Sequence, residues 1–486
     1  MPWPTGEWLS QQIRLPADMQ LCQLSRVDVP PVIAALSAWY PDLAIGEEHV
    51  LLTSTFYDEE VALADEGHTI EDRPVYVLLL QSATALVGYW VGEYEADERA
   101  IVGRMSLVDP RYRGRGCGRA LIEAQVVVGQ AIGADLAYGF AEIDNRPQCA
   151  ILERTGFVLC GILPNSEKKH VTPGVAKYVP EALYVKMLGS PEDLLWPRPE
   201  ELRPQTAALM KLLFDYGAPV EMQEPMPAAS IPELDPASAA LLAARPGGTH
   251  TWPDVTLLAS QLQLPAGLEL RQLARCDIPR LLSVLPEWFP DIVGSSRRFL
   301  LTSSFYEQSV ALAGEDASLD HRPAYAFLLW AGADPVAFGY VEYAASQSML
   351  RAQVLAVDPR YRGRGRGLST MLVALMVLLG RTISVDMIVA WATLRHSFAQ
   401  LMAERCGFRL IGIVPASDRV QIRPGVVKHT FEAVYAISLV PDEQTHRPAS
   451  ASLSPHMAAV ARFILGEPQE ERRGSQPCSA EDHRDG

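Results

Sequence analysis

Cysteine is scarce in this chain and follows no metal-binding or disulfide pattern. The seven cysteines among 486 residues are scattered, odd in number, and never stand in a CxxC spacing. This distribution indicates neither a disulfide framework nor a zinc site. The longest apolar run, near 371–379, is too short to span a bilayer. The first residues also lack the basic and then apolar pattern of a secretory signal. We therefore expect a reduced, cytoplasmic protein that needs no metal.

Basic residues are also in deficit. The chain has 42 Lys and Arg against 58 Asp and Glu, for a formal net charge of −16. Such a balance repels phosphate backbones and argues against non-specific nucleic-acid binding, while it mildly favours cationic partners. Hydrophobic residues make up 48% and charged residues 21%, which is typical of a globular protein.

What the chain does contain is a long internal duplication. The octapeptide DPRYRGRG occurs at 109–116 and again, 249 positions later, at 358–365. The same offset relates LLTSTFY at 51–57 to LLTSSFY at 300–306. After the octapeptide the offset becomes 251, which relates PGVAK at 173–177 to PGVVK at 424–428. A duplication of this size predicts two domains of similar fold.

The composition between and after the two copies sets the predicted boundaries. We assign copy 1 to 15–217 and copy 2 to 264–466. The Pro- and Ala-rich stretch 218–263 is predicted to be a linker, and the polar segment 467–486 a disordered tail. Within each copy, short β-branched and aromatic runs come first, followed by alternating strand and helix patterns. The predicted fold class is therefore α/β, each copy having a mixed, mostly antiparallel sheet flanked by helices.

The octapeptide is placed where a strand ends and a helix begins. The strand ends at Val108, and the helix is predicted to begin near Gly118. Such a turn directs loop and helix N–H groups toward one point, which suits a pyrophosphate. A P-loop is excluded because no GK[ST] follows, and the glycine spacing is not that of a dinucleotide fingerprint. A tight, solvated turn without a ligand remains the alternative.

The spacing R-x-x-G-x-G, after V-D-P-x-Y and followed by N…ERTGF, resembles the acyl-CoA-binding motif of the GNAT superfamily of N-acyltransferases. The resemblance covers nearly all of each copy, so the chain looks like a tandem GNAT protein. It implies acetyl-CoA, or another acyl-CoA, as cosubstrate. The residues that it implies for cofactor binding are Leu107, Val108, Arg113, Gly114, Arg115, Gly116, Cys117, Gly118, Arg119 and Asn145 in copy 1, and Ala356, Val357, Arg362, Gly363, Arg364, Gly365 and Gly367 in copy 2.

Neither copy has the family's usual residue at the position of the general acid. The position where the family often has a catalytic tyrosine holds Leu152 in copy 1 and Ala403 in copy 2. Tyr184, on the last strand, is a candidate substitute, and packing within a half-buried strand is the alternative. Asn145 is either cofactor-facing or a plain helix cap. Its copy 2 counterpart is His396, so we expect turnover in copy 1.

Glu93 and its counterpart Glu342 are the candidate general bases. Each is placed on a predicted central strand among Tyr, Val and Gly, where an unpaired carboxylate is costly. The alternatives are an exposed strand residue or a charge that anchors the substrate. Together with these residues, the resemblance implies acyl transfer from acyl-CoA to a primary amine on a small molecule or peptide, by direct attack in a ternary complex. Neither nucleic acid nor membrane is expected as a partner. A non-catalytic acyl-CoA-binding protein is the alternative.

Overall fold

A computed structural model describes residues 1–217, 251–262, 264–315, 318–319, 321–363, 367–423 and 425–466. The predicted tail and most of the predicted linker lie outside the described residues, as do the candidate cofactor residues Arg364 and Gly365.

The two copies repeat the same order of secondary-structure elements. The elements of copy 1 are α1 (Gly6–Gln12), β1 (Met19–Gln23), α2 (Val29–Trp39), α3 (Ser54–Glu59), β2 (Val75–Ser82), β3 (Leu86–Glu95), β4 (Ala100–Val108), α4 (Cys117–Ala131), β5 (Leu136–Glu142), α5 (Arg146–Arg154), β6 (Val158–Thr172), β7 (Val175–Met187), β8 (Leu194–Leu195) and α6 (Pro204–Phe214). The elements of copy 2 are α7 (Val255–Gln261), β9 (Leu268–Gln272), α8 (Ile278–Trp288), α9 (Ser303–Ser309), β10 (Val310–Ala311), β11 (Ala324–Ala331), β12 (Asp334–Ala344), β13 (Met349–Val357), α10 (Leu368–Thr382), β14 (Met387–Thr393), α11 (Ser397–Arg405), β15 (Arg409–Arg423), β16 (Val426–Ser438) and α12 (Pro455–Leu465).

The sixteen strands within the described residues belong to one continuous sheet. Its main path runs β1-β2-β3-β4-β5-β7-β6-β15-β16-β14-β13-β12-β11-β10, while β8 pairs with β16 and β9 with β11. Most neighbours are antiparallel, and β4–β5 and β13–β14 are parallel pairs in equivalent places of the two copies. The predicted fold class, a mixed and mostly antiparallel sheet flanked by helices, is confirmed.

Two glycines allow the copies to meet within the sheet. Gly161 of β6 faces Gly412 of β15, and a Cβ added to Gly161 would lie 2.4 Å from the carbonyl oxygen of Ile411. Because that neighbour is backbone, no rotamer change could relieve the contact. The close approach therefore requires glycine.

The C-terminal helix of each copy packs on the sheet of the other. Helix α6 contacts β15, and α12 contacts β6. Arg146 at the start of α5 donates hydrogen bonds of 2.6–2.8 Å to three carbonyl oxygens in 451–453. From copy 1, Arg203 Nε donates to Glu404 at 3.1 Å. These contacts join the copies into one body with shared cores.

Each copy begins earlier than the sequence analysis placed it. Trp3 Nε1 donates to the carbonyl of Arg73 at 3.0 Å, and Trp252 Nε1 donates to the carbonyl of Arg322 at 2.7 Å. Both pairs follow the 249 offset. Helix α7, inside the predicted linker range, packs on β9 and α10 as α1 packs on β1 and α4. The start of copy 2 is thus better placed near 251 than at 264.

Helix α4 follows the octapeptide as predicted, and its residues Leu121, Ala124 and Val128, which recur at helical spacing, are all fully buried. It begins at Cys117, one residue before the predicted start. Among the described residues, no helix is long and apolar enough to cross a membrane.

Candidate active site

The parallel strands of copy 1 separate along their length and open a cleft. β4 pairs with β5 only from Ala100–Val102 to Leu136–Tyr138. On its other side, β4 pairs with β3 through a register shift that leaves Arg104 without a partner residue, which is a β-bulge. The bulge changes the direction of β4, and its later residues, including Leu107, remain partly exposed. The separation of β4 from β5 therefore leaves a groove that is bordered by strand backbone.

The Arg/Gly loop follows the partly exposed end of β4 and leads into α4. Gly114 has φ +76° and Gly116 has φ +86°, a region that favours glycine, and Gly116 caps α4. A Cβ at either glycine would meet no atom within 4 Å. Open space in front of a helix N-terminus is a suitable site for an anion. The conformation predicted for the octapeptide is present in copy 1.

The arginines of the loop divide into structural and available groups. Arg111 pairs with buried Asp109 at 2.6 Å, and that carboxylate also accepts the Arg111 N–H, which fixes the turn. Arg113 Nε donates to the carbonyl of Val108 at 3.3 Å. The side chains of Arg115 and Arg119 are exposed; Arg115 lies over the Tyr112 ring, and Arg119 pairs with Glu123 at 2.7 Å. They are free to reorient toward phosphate oxygens.

Of the other predicted loop residues, Cys117 is buried, and a Cβ at Gly118 would touch Ile151 at 3.4 Å. The side chain of Cys117 therefore belongs to the packing under the loop, while Gly118 lies next to Ile151 of α5. Any contact of these two residues with a ligand is through their backbone.

A cavity of about 290 Å³ adjoins the groove. Leu107, Asn145 and Glu93 are among the residues that line it. Copy 2 contributes a wall that includes Arg351 and Trp391. The cavity thus connects the predicted cofactor strand to the predicted base and is completed by the second copy.

Glu93 belongs to a three-residue ion-pair network. Arg104 Nη1 is 3.3 Å from Glu93 Oε2, and Arg104 Nη2 is 2.9 Å from Glu48 Oε2. Desolvation raises the pKa of Glu93 above its ordinary value, and the charge of Arg104 opposes that rise. The result is a half-buried carboxylate held in one orientation, with basicity above that of a free glutamate.

Asn145 is both a helix cap and a cavity residue. Its Oδ1 accepts the N–H of Gln148 at 3.2 Å, which is the cap predicted as the alternative. Tyr184 is fully buried, and its hydroxyl donates to Glu153 Oε1 at 3.1 Å. It is absent from the lining of the cavity, so the structure does not bring it together with Glu93.

Copy 2 presents a more closed version of the same groove. Ala356 and Val357 are only 4% and 7% exposed, whereas Leu107 and Val108 are partly exposed. Arg362 donates to the carbonyl oxygens of Val357 and Trp288, so its guanidinium group is already used in hydrogen bonds within copy 2.

The remaining described residues of the copy 2 site keep the family conformation in part. Gly363 and Gly367 have φ of +71° and +63°. Glu342 accepts a 3.1 Å hydrogen bond from Gln353 in place of an arginine. His396 begins α11 without making a side-chain cap.

Sequence reasoning missed Glu48, Arg104 and Glu181, all of which line the cavity. No motif marks them. A signal existed in the comparison of the copies, since Glu48 corresponds to Arg297 and Arg104 to Gln353. Charge changes at equivalent positions of a duplicated fold point to a site that differs between the copies.

Comparison with known proteins supports the sequence motif. The family model described as acetyltransferase (GNAT) family matches residues 37–157, within copy 1. A search of curated proteins found no match.

Solved structures similar to parts of the chain include ribosomal-protein-S18-alanine N-acetyltransferase from Escherichia coli, at 16% identity, covering 35% of this chain and 95% of that one, with a TM-score of 0.27. Spermidine N-acetyltransferase from Vibrio cholerae in complex with CoA and spermine is 15% identical, covers 35% and 96%, and has a TM-score of 0.28. The family model and the loop geometry, rather than these distant likenesses, carry the assignment: residues 37–157, within copy 1, match the acetyltransferase (GNAT) family.

Proposed function

We propose that the protein transfers an acetyl group from acetyl-CoA to a primary amine, and that copy 1 carries the reaction. The observation that carries this proposal is the combination of three features along β4: the open Arg/Gly loop that follows it, its separation from β5, and a cavity lined by both Leu107 and Glu93. The closed strand end of copy 2 favours copy 1 as the working site.

The residues of copy 1 divide the work between binding and proton transfer. Loop N–H groups and the exposed side chains of Arg115 and Arg119 hold the pyrophosphate. The β4 backbone at Leu107 and Val108 lies along the pantetheine arm, and an N–H there polarises the thioester carbonyl.

Glu93 removes a proton from the substrate ammonium, directly or through water, and Arg104 keeps its carboxylate oriented. The freed amine nitrogen attacks the carbonyl carbon and the C–N bond forms. The nitrogen then gives up its remaining extra proton to solvent, the C–S bond breaks, and the departing thiolate takes up a proton to become free thiol. The CoA thiolate leaves without a dedicated acid, since a thiol pKa of roughly 8.5 makes it a tolerable leaving group. Tyr184 is left out of this scheme because its hydroxyl is bonded to Glu153.

Incubation with acetyl-CoA and a panel of primary amines, with free thiol followed over time, tests the proposal. We expect amine-dependent thiol release that Gly116→Glu abolishes, because a carboxylate would occupy the open space before α4. Acetyl-CoA binding without thiol release across the whole panel would instead favour the alternative, a non-catalytic acyl-CoA-binding protein.

A further inference from the structure

A second cavity, of about 300 Å³, lies between the two copies, and we call it the interface cavity. Pro164, Asn165 and Pro180 of copy 1 line it, together with residues of β15, β16, α12 and the segment that joins β16 to α12. The adjacent residues Leu163 and Glu181 line the cavity beside the groove instead. Because neighbouring residues of a strand point to opposite faces, β6 and β7 separate the two cavities. The interface cavity is therefore a space that the proposed reaction does not use.

The duplication provides a counterpart with which this cavity can be compared. Residues after the octapeptide correspond at an offset of 251. The sheet follows the same correspondence, since Leu194 pairs with His429. Their counterparts, Thr445 and Tyr178, form the equivalent bridge. The lining of the interface cavity can thus be compared with the equivalent residues at the other side of the contact between the copies.

Three aromatic rings pack together at the counterpart of the interface cavity. The ring centroid of Phe431 lies 4.8 Å from that of Trp196 and 5.7 Å from that of Phe214. The residues at the equivalent positions all line the interface cavity, and they are Pro180, Arg447 and Leu465. Non-aromatic side chains thus replace three packed rings, which accounts for the space.

The replacements also bring positive charge to the lining. Arg447 stands where copy 1 has Trp196, and its Nη1 donates to the carbonyl of Leu465 at 2.7 Å. Arg409 stands where copy 1 has Val158. The side chain of Arg409 makes no hydrogen bond or ion pair with any residue that the structure describes. One guanidinium group is therefore held in place by α12, and the other is available to a ligand.

Little negative charge opposes these two groups. Asp442 is the one carboxylate among the described residues that line the cavity. Its Oδ1 is 3.9 Å from Arg447 Nη2, and its side chain is 76% exposed, so water screens this contact. Desolvation lowers the pKa of His446, another lining residue, so its ring is neutral near pH 7. The lining therefore keeps a net positive charge.

Much of the remaining lining is aliphatic. Ile411, Val440 and Ile464 are buried, whereas Arg409 is exposed. An inorganic anion would leave this apolar surface uncovered, but a ligand with an apolar body and one acidic group would cover it. The volume is at the lower end of the range for ligand pockets, which suits one small ring system.

We propose that the interface cavity binds a small aromatic carboxylic acid, whose carboxylate binds Arg409 and Arg447. The ring of the ligand takes the place that the Trp196 ring has in the counterpart, against Pro180 and the aliphatic side chains. Charge-assisted hydrogen bonds from the two guanidinium groups hold the carboxylate. This site is separate from the Arg/Gly loop and does not depend on the proposed function.

Three probes test the two parts of the ligand: indole-3-acetate, indole-3-ethanol and acetate. The alcohol keeps the ring and loses the charge, and acetate keeps the charge and loses the ring. We expect indole-3-acetate to bind the full-length protein roughly 10- to 100-fold more tightly than either of the others, as one charge-assisted contact predicts. Isothermal titration calorimetry measures the three affinities.

Two variants assign the binding to the cavity. Arg409→Gln removes a charge without breaking a contact among the described residues, and it should weaken indole-3-acetate binding ~10-fold or more. Arg447→Trp introduces the residue of copy 1 and should abolish the binding, because the new ring would occupy the space. Arg423→Gln, at an exposed position farther along β15, is the matched control and should bind as the wild type does. Circular dichroism verifies that each variant folds.

Gly114→Glu distinguishes the interface cavity from the other anion site. This variant changes the Arg/Gly loop of copy 1 and should bind indole-3-acetate as tightly as the wild type. Loss of binding in Gly114→Glu would place the acid at the loop and overturn the proposal. Equal affinity for the acid and the alcohol, binding that Arg409→Gln leaves unchanged, or no binding of the acid would also overturn it.

Discussion

Gly114 and Gly363 form a matched pair that separates the two copies experimentally. They are equivalent positions with φ of +76° and +71°, and a Cβ at either would meet no atom within 4 Å. Replacing either by Glu costs about 1–2 kcal/mol of backbone strain, which is common to both variants. The difference between them therefore reports on ligand binding alone.

The expected magnitude follows from the charge placed at the loop. A carboxylate about 5 Å from one phosphate charge costs about 3 kcal/mol at an effective dielectric of 20, and about 0.8 kcal/mol in bulk water. In affinity, that is roughly 4-fold to 250-fold per charge, before steric exclusion is added. We expect Gly114→Glu to lower kcat/KM for acetyl-CoA by ~100-fold or more.

Gly363→Glu should retain most of the activity, because the strand end beside it is closed by Ala356 and Val357. Thiol release at varied acetyl-CoA concentration, with circular dichroism to verify folding, measures both variants. Loss of activity in Gly363→Glu with retention in Gly114→Glu would refute the assignment of the working site to copy 1. Equal losses would refute the claim that one copy alone turns over.

Three further results are expected. Glu93→Gln should lower kcat/KM ~100-fold and remove the acidic limb of the pH profile. In the wild type, activity should fall on that limb at a pH above the ordinary glutamate pKa, because burial raises the pKa of Glu93 and only its ionised form accepts a proton. An unchanged profile would exclude Glu93 as the base. Gly161→Ala should lower the free energy of unfolding by about 1–3 kcal/mol, because its Cβ would strike the backbone of β15. Gly189→Ala is the control and should leave the free energy unchanged, because a Cβ there has no neighbour within 4 Å. Urea denaturation measures both variants. Limited proteolysis should cut first within the Pro- and Ala-rich 218–250; first cuts inside either copy would contradict the predicted boundaries.

The fold and the loop could be predicted because their signals are local. Each of these signals is contained within a few residues: the strand and helix periodicity, the glycine positions and the octapeptide. Because the sequence is duplicated, each signal also occurs twice. The early start of each copy was missed although Trp3-Pro4 and Trp252-Pro253 repeat at the same offset. The Pro- and Ala-rich composition before Trp252 is typical of a linker, and it places the predicted start of copy 2 too late, because α7 packs on copy 2.

The cavity could not be predicted, because it is assembled from distant segments. Glu48 follows α2, Glu181 is on β7, and Arg351 comes from the other copy. Whether a glutamate on a strand is paired depends on the register of its neighbours, and the bulge at Arg104 sets that register. Glu93 was identified because its apolar neighbours suggested burial, whereas Tyr184 was offered without knowledge that Glu153 accepts its hydroxyl.

The central claim is that the protein moves an acetyl group onto an amine nitrogen. Incubating it with isotopically labelled acetyl-CoA and the panel of primary amines, followed by mass spectrometry of the amines, tests this claim most directly. We predict one labelled acetyl group on nitrogen for each thiol released, and none with Gly114→Glu. Thiol release without labelled amine, or no release with any amine, would contradict the account.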